Sequence, residues 1–279
     1  MKKIKHILSI LICIYGVNKY SQSFKFQHYS VEEGLPQSQV YAMIQDSRGL
    51  LWLGTKGGGL SKFNGKEFTT YTKEEGLSGD QIYALFEDSK HNIWIGTENG
   101  ITHYNGINFT QHPISNKYDI VVSAIIEDKN KTIWAATNAG LYYYENNQWV
   151  AFISNTTKLK HNVSCLFVDS IGTIWTGNDN GLFNIDNGHV SCYTIKSGLS
   201  SNKVRSINEL NGELLVGTYG HGLNVRTENG WYILGKTNEI IHDVFVDNKQ
   251  NIWVATQDNG AIKYNLKKKS KKIYNQSKG

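Results

Sequence analysis

The sequence predicts an all-β protein, a β-propeller of four-stranded antiparallel blades, and two observations carry that prediction. A tryptophan-centred phrase returns six times at a nearly constant interval. Each interval holds room for four short strands separated by turn residues, and little else. The phrase is clearest as "HNIWIGTENG", His91 to Gly100, and recurs around Trp52, Trp134, Trp175 and Trp253, with Leu215 in the tryptophan slot of a sixth copy. The anchors 52, 94, 134, 175, 215 and 253 lie 42, 40, 41, 40 and 38 residues apart. Composition agrees: 39% of the 279 residues are hydrophobic, many of them aromatic or β-branched, with 27 Gly and only 2 Pro, which suits a globular β body.

Within the second copy, "QIYALFED" reads as a first strand, "IWIGT" as a second, "ITHYN" as a third and "INFTQH" as a fourth. "SKHN", "ENG" and the Asn105–Gly106 pair supply the turns, since Asn and Gly accept the positive φ that tight hairpins need. A lone sheet of this kind has two partly apolar faces. Radial stacking buries both against neighbours.

The repeated residues then acquire structural roles. Each anchor ring, worth on the order of 150–250 Å² of burial, fills the wedge between blades. The acids six positions earlier, Asp46, Asp88, Asp128, Asp169, Glu209 and Asp247, start the first hairpin, where an Asp caps backbone N–H groups two residues on. Gly59, Gly100, Gly140, Gly181, Gly222 and Gly260 close the second hairpin at positive φ.

Counting strands leaves the closure open. Six complete repeats are joined by an extra N-terminal strand, because "FKFQHYSVEEGL" matches a fourth strand: Tyr29, like Tyr71 and Tyr193, precedes a glycine by five residues. The chain is therefore a six-bladed or imperfectly closed ring, or a piece of a seven-bladed one. The first is favoured, with the lysine-rich segment "KYNLKKKSKKIYNQSKG" displaced from the ring.

Residues 1–23 stand apart from the propeller domain of residues 24–279. Lys2, Lys3 and Lys5 precede an apolar run from Ile7 to Val17, and Ser21 and Ser23 are small; this is the pattern of a signal peptide. The expectation is a periplasmic or secreted protein, with an uncleaved membrane anchor as the alternative. Export makes Cys165 and Cys192 candidates for a disulfide. Their assignment to the innermost and outermost strands of one sheet puts them roughly 14 Å apart, so two thiols are expected.

The formal charge of +5 is local. Four Lys in residues 1–23 and seven in residues 263–279 leave the body with 18 basic against 24 acidic residues, which argues against a nucleic-acid partner.

The phrase "GLxxxxVxxIxxDxxGxIWxGTxxGLxxYNGxxFxxY" resembles the two-component regulator propeller repeat. The best copies are "DSRGLLWLGTKGGGLSKFNG" and "DSKHNIWIGTENGITHYNG", and the resemblance covers residues 24 to 279. It implies an exported sensor region of the kind that precedes a β-sandwich, a membrane helix and a histidine kinase, often responding to oligosaccharides. No second propeller, kinase or receiver is present in this sequence.

A ligand is expected where loops vary between copies while hairpin positions do not, at the end of the axis where the inner strands start. Tyr41, Tyr83, Ser123, Ser164, Arg205 and His242 start those strands. Lys56, Glu98, Asn138, Asp179, Tyr219, His221 and Asp258 lie in the turns between second and third strands. Aromatic, amide and charged groups on a concave mouth suit a small-molecule or oligosaccharide ligand. The alternatives are a protein-interaction propeller, with a membrane histidine kinase as one such partner, and a lyase-like enzyme using His221, His242, Arg205 and His161. The sequence has no "GxSxG" elbow, "CxxC" or close His/Glu metal spacing, so no enzyme, cofactor or metal is expected.

Overall fold

The computed structural model describes residues 27–114, 119–153, 159, 161–186, 188–235 and 238–275. The expected signal peptide lies outside them. No described helix is long and apolar enough to cross a membrane.

Six four-stranded antiparallel sheets form a six-bladed β-propeller. Blade one is Val40–Gln45, Leu51–Thr55, Leu60–Phe63 and Phe68–Tyr71; blade two is Ile82–Glu87, Ile93–Thr97, Gly100–Tyr104 and Phe109–His112. Blade three is Val122–Glu127, Ile133–Thr137, Gly140–Glu145 and Gln148–Ala151; blade four is Cys165–Val168, Ile174–Asn178, Gly181–Asp186 and His189–Tyr193. Blade five is Val204–Leu210, Glu213–Thr218, Leu223–Thr227 and Gly230–Leu234; blade six is Ile241–Val246, Ile252–Thr256, Gly260–Asn265 and Ser270–Tyr274. Every sheet is a meander in chain order.

Apolar cores fill the five seams between consecutive blades. Trp52, Trp94, Trp134, Trp175 and Leu215 are all buried in them. Close approach is permitted in blades one, two, four and five by a glycine two residues after the anchor, where blades three and six have Ala136 and Ala255: a Cβ on Gly96 would lie 2.8 Å from Val122, and one on Gly54 would lie 2.5 Å from Ile82. The first residue of the next inner strand occupies that space.

At the hairpin end the Asp–Trp pairing goes further than a local cap. Asp88 Oδ1 accepts from the backbone N–H groups of Lys90 and Asn92, both at 2.9 Å, while Oδ2 accepts from the Trp94 indole at 2.9 Å. Asp46 with Trp52, Asp128 with Trp134, Asp169 with Trp175 and Asp247 with Trp253 repeat the arrangement at 2.8–3.0 Å. Burial alone would raise the carboxyl pKa values of Asp46, Asp88 and Asp247, but the hydrogen bonds from indole, backbone and side-chain donors outweigh it and hold all three below the usual range.

Glu209 does not belong to that series. Blade five's first hairpin is one residue shorter, and the register pairs Glu209 with Leu214 as Glu87 pairs with Ile93. Glu209 is thus the counterpart of Glu87 and Glu127. All three carboxylates reach back to the preceding blade, accepting from the backbone N–H and hydroxyl of Ser47, Ser89 or Ser170. Leu210 takes the aspartate's place and Leu215 the tryptophan's, so the buried acceptor and its indole donor are absent together.

The expected hairpin glycines hold, from Gly260 at φ 67° to Gly181 at φ 148°. A side chain on Gly59 would also strike the Tyr71 carbonyl. Cys165 is buried on the innermost strand of blade four and Cys192 exposed on the outermost, and no disulfide joins them.

The lysine-rich segment is not displaced. Its residues form the third and fourth strands of blade six, paired from Ala261–Tyr274 to Asn265–Ser270. Tyr274 stacks on Trp253 at 5.4 Å, and that aromatic contact outweighs the repulsion of lysines whose ammonium groups stay in water. At the other terminus, Tyr29 lies 5.0 Å from Phe63 and 5.7 Å from Phe68, as Tyr71 lies on Phe109. Ser30 and Glu33 repeat the Thr72–Glu75 cap. Residues 27–30 pair with no sheet among the described residues.

No apolar core spans blades six and one among the described residues. Met43 is 64% exposed where its register counterpart Leu85 is buried, and Phe245 is 59% exposed. Trp253 is accordingly only half-buried.

Candidate functional site

The mouth is built by one irregularity repeated in the inner strands. The pairing register slips between Val40 and Ala42, between Ile82 and Ala84, between Val204 and Ser206, and between Ile241 and Asp243; the slip in blade three falls between Val122 and Ala124. The extra residues are Tyr41, Tyr83, Arg205, His242 and Ser123. A bulge leaves its residue outside the ladder and re-aims the side chain. The expected inner-strand residues are therefore equivalent positions, displaced from the sheet in five of six blades. Composition and periodicity do not reveal a bulge. Its only trace is a polar or aromatic residue directly after the apolar residue that opens the strand.

Two groups form at this end. In the first, Tyr41 and Tyr83 of adjacent blades stack with centroids 5.5 Å apart and planes inclined 18°. Tyr41 is 45% exposed. The Lys56 ammonium lies 5.9 Å from the Tyr41 ring, and the Tyr83 hydroxyl donates to Gln81 Oε1 at 3.0 Å. Burial, with Tyr41 and Glu98 beside it, pushes the Tyr83 phenol up. Glu98 itself accepts from the backbone N–H groups of Asp80 and Gln81 at 3.2 and 2.9 Å; it fixes the loop entering blade two. Asn138 does the same for Val121 at 3.2 Å.

In the second group, Arg205 Nη2 donates to Asp179 Oδ1 at 2.8 Å and Nη1 approaches Ser164 Oγ at 3.5 Å. The guanidinium lies 5.4 Å from the Tyr219 ring, with Lys203 on the same ring at 5.6 Å. Tyr219 is 44% exposed. Ser123 is turned into the sheet, its hydroxyl donating to the carbonyls of Ala136 and Val163.

His242, His221 and Asp258 are exposed and join neither group. His221 sits at φ 73°. Among the described residues no carboxylate bonds either imidazole, and no cluster of three metal-ligating side chains occurs.

The fold is that of a six-bladed β-propeller. The model of the Two component regulator propeller family matches residues 34–57 and 76–99, one stretch in each of the first two repeats. No curated protein matches the chain. Among solved structures, it is similar to the extracellular domain of a hybrid two component system from B. thetaiotaomicron, with TM-score 0.77 and 23% identity, over 90% of this chain and 36% of that one. The chain thus spans about a third of that protein's length. It is also similar to a streptogramin B lyase, with TM-score 0.70 and 16% identity, over 86% of this chain and 84% of that one. PorZ, a surface component of the type-IX secretion system of Porphyromonas gingivalis, gives TM-score 0.66 and 16% identity over 89% and 43%. At these identities the likenesses establish the fold.

Proposed function

We propose that the chain is an exported, sensor-type propeller that binds a small polar ligand, such as a glycan fragment, at the bulge-lined mouth. The observation that carries this reading is the exposed Tyr41–Tyr83 stack beside the Lys56 ammonium. Paired rings at a concave end present a flat apolar face to a sugar ring, and adjacent amide and charged groups orient its hydroxyls. Arg205, already aligned by Asp179 and Tyr219, offers a second, polar contact on another blade.

The extracellular two component system domains of like fold support a sensing role. Any signal would pass to a partner such as a membrane histidine kinase. Binding is preferred to catalysis because neither His221 nor His242 is oriented by a carboxylate among the described residues. The test is a glycan array followed by calorimetry on the glycan retained. Replacing Tyr41 and Tyr83 together by Ala should weaken binding about tenfold or more, at roughly 1 kcal/mol per lost ring contact. Unchanged affinity in that variant would refute the mouth as the site. Turnover of a ligand, abolished by His242→Ala, would favour the lyase reading.

A further inference from the structure

The hairpin end of the propeller, opposite the mouth, carries a groove beside several blades, and their charges differ in sign. The groove of about 440 Å³ beside blade two is balanced, with Asp88 and Glu127 set against Lys90 and Lys131. That of about 480 Å³ beside blade three is lined by Asp128, Glu145 and Asp186. That of about 600 Å³ beside blade four is lined by Asp169, Glu209, Glu213 and Glu228. In all three, part of the acid comes from the following blade.

The groove of about 540 Å³ on blade six reverses the pattern. Lys249, Lys263, Lys267, Lys268 and Lys272 line it, with Tyr274 at one side and no carboxylate in the lining. Asp247 lies behind it and is already engaged, accepting from the Trp253 indole and from the Asn251 amide and standing 3.7 Å from Lys263. Lys249, Lys267 and Lys268 are exposed and have no carboxylate partner among the described residues. Among the described residues no other blade contributes a carboxylate to this lining. Ammonium groups gathered within a Debye length of about 8 Å repel one another, and an anion relieves that repulsion.

We infer that the blade-six groove is a second binding site, for an acidic saccharide whose sulfate or carboxylate groups lie between Lys249 and the Lys267–Lys268 hairpin. The shape favours a chain molecule over a bilayer surface: the site is concave, and its lining holds no aliphatic side chain to enter a membrane. A single tyrosine offers little for a row of stacked bases, which sets a nucleic acid aside. The site is separate from the mouth and does not rest on the glycan reading proposed for it.

The probe is a heparin-derived hexasaccharide titrated into the full chain at about 50 and 200 mM salt, with its desulfated, N-acetylated and carboxyl-reduced counterpart as the neutral control. The sulfated sugar should bind at the lower salt and weaken about tenfold or more at the higher. The exposed-hairpin variant Lys267→Glu/Lys268→Glu should lose about tenfold or more, while Tyr41→Ala/Tyr83→Ala should bind as the parent does. No binding at low salt, equal binding of the desulfated sugar, or unchanged affinity in the charge-reversal variant would overturn the inference. So would tighter capture of phosphatidylglycerol vesicles or single-stranded DNA than of the sulfated sugar.

Discussion

The Asp–Trp pair at the hairpin end invites a double-mutant cycle in blade two. Trp94→Phe removes the indole N–H that donates to Asp88 Oδ2 at 2.9 Å and trims the ring that fills the seam. A hydrogen bond to a charged acceptor contributes about 1.5–3 kcal/mol. The smaller ring forfeits roughly 40 Å² of burial, or about 1 kcal/mol at 25 cal/mol per Å². The single substitution should therefore cost about 2.5–4 kcal/mol in urea unfolding followed by circular dichroism. Asp88→Asn keeps the outline of the turn but loses the charge, and should cost less. If indole and carboxylate act as a unit, the double variant will fall short of the summed costs by about 1–2 kcal/mol. Blade five already presents this state, with Leu215 and Leu210 at the two places. Costs that add to within about 0.5 kcal/mol would refute the coupling, and the aspartate would then be a turn residue only.

Gly96→Ala places a methyl 2.8 Å from Val122 Cγ1 and 3.0 Å from Ala84 Cβ; overpacking of this kind should cost about 1–3 kcal/mol and lower the melting temperature. Burial holds the His103 and His112 imidazoles below their ordinary pKa, so the unfolded chain takes up protons first. Their contribution is therefore complete above about pH 6.5 and declines as pH falls below it, and the urea midpoint should drop between about pH 7.5 and 5.5. His112→Tyr, which installs the residue found at this register in blades one, four and six, should flatten that slope, and an unchanged slope would assign it elsewhere. Burial pushes the Cys165 thiol up to about 12, so alkylation of the native protein at about pH 8, read by mass spectrometry, should label Cys192 well before Cys165.

Much of the architecture is written locally. The recurring Trp, the Asp six residues before it and the glycine closing the second hairpin each act within one hairpin, so their spacing exposes their roles. What escapes is decided between blades or by a single-residue change in register. Glu209 shares the six-residue spacing of the aspartates, yet one residue missing from the Asn211–Gly212 hairpin moves it to the position of Glu87 and Glu127. The charge of residues 263–279 suggests expulsion from the ring, whereas the Trp253–Tyr274 stack retains them. At the mouth, residue types and loop position pick out Tyr41, Tyr83 and Arg205. The Tyr41–Tyr83 stack depends on the packing of two adjacent blades, and nothing along one strand encodes it. Glu98 carries the chemistry of a ligand group, but its two oxygens hold backbone amides.

The repeated slip in the inner strands also bears on how such a propeller changes over evolutionary time. Each displaced residue stands free of the pairing that holds its sheet, while the elements that lock the blade lie at the far end of the same strand. Exchanging Tyr41 for a serine, or Arg205 for a tyrosine, would leave the scaffold's own contacts nearly untouched. The propeller thus behaves as a dial with independent settings, on which new specificities can be tried one blade at a time without first being compensated elsewhere.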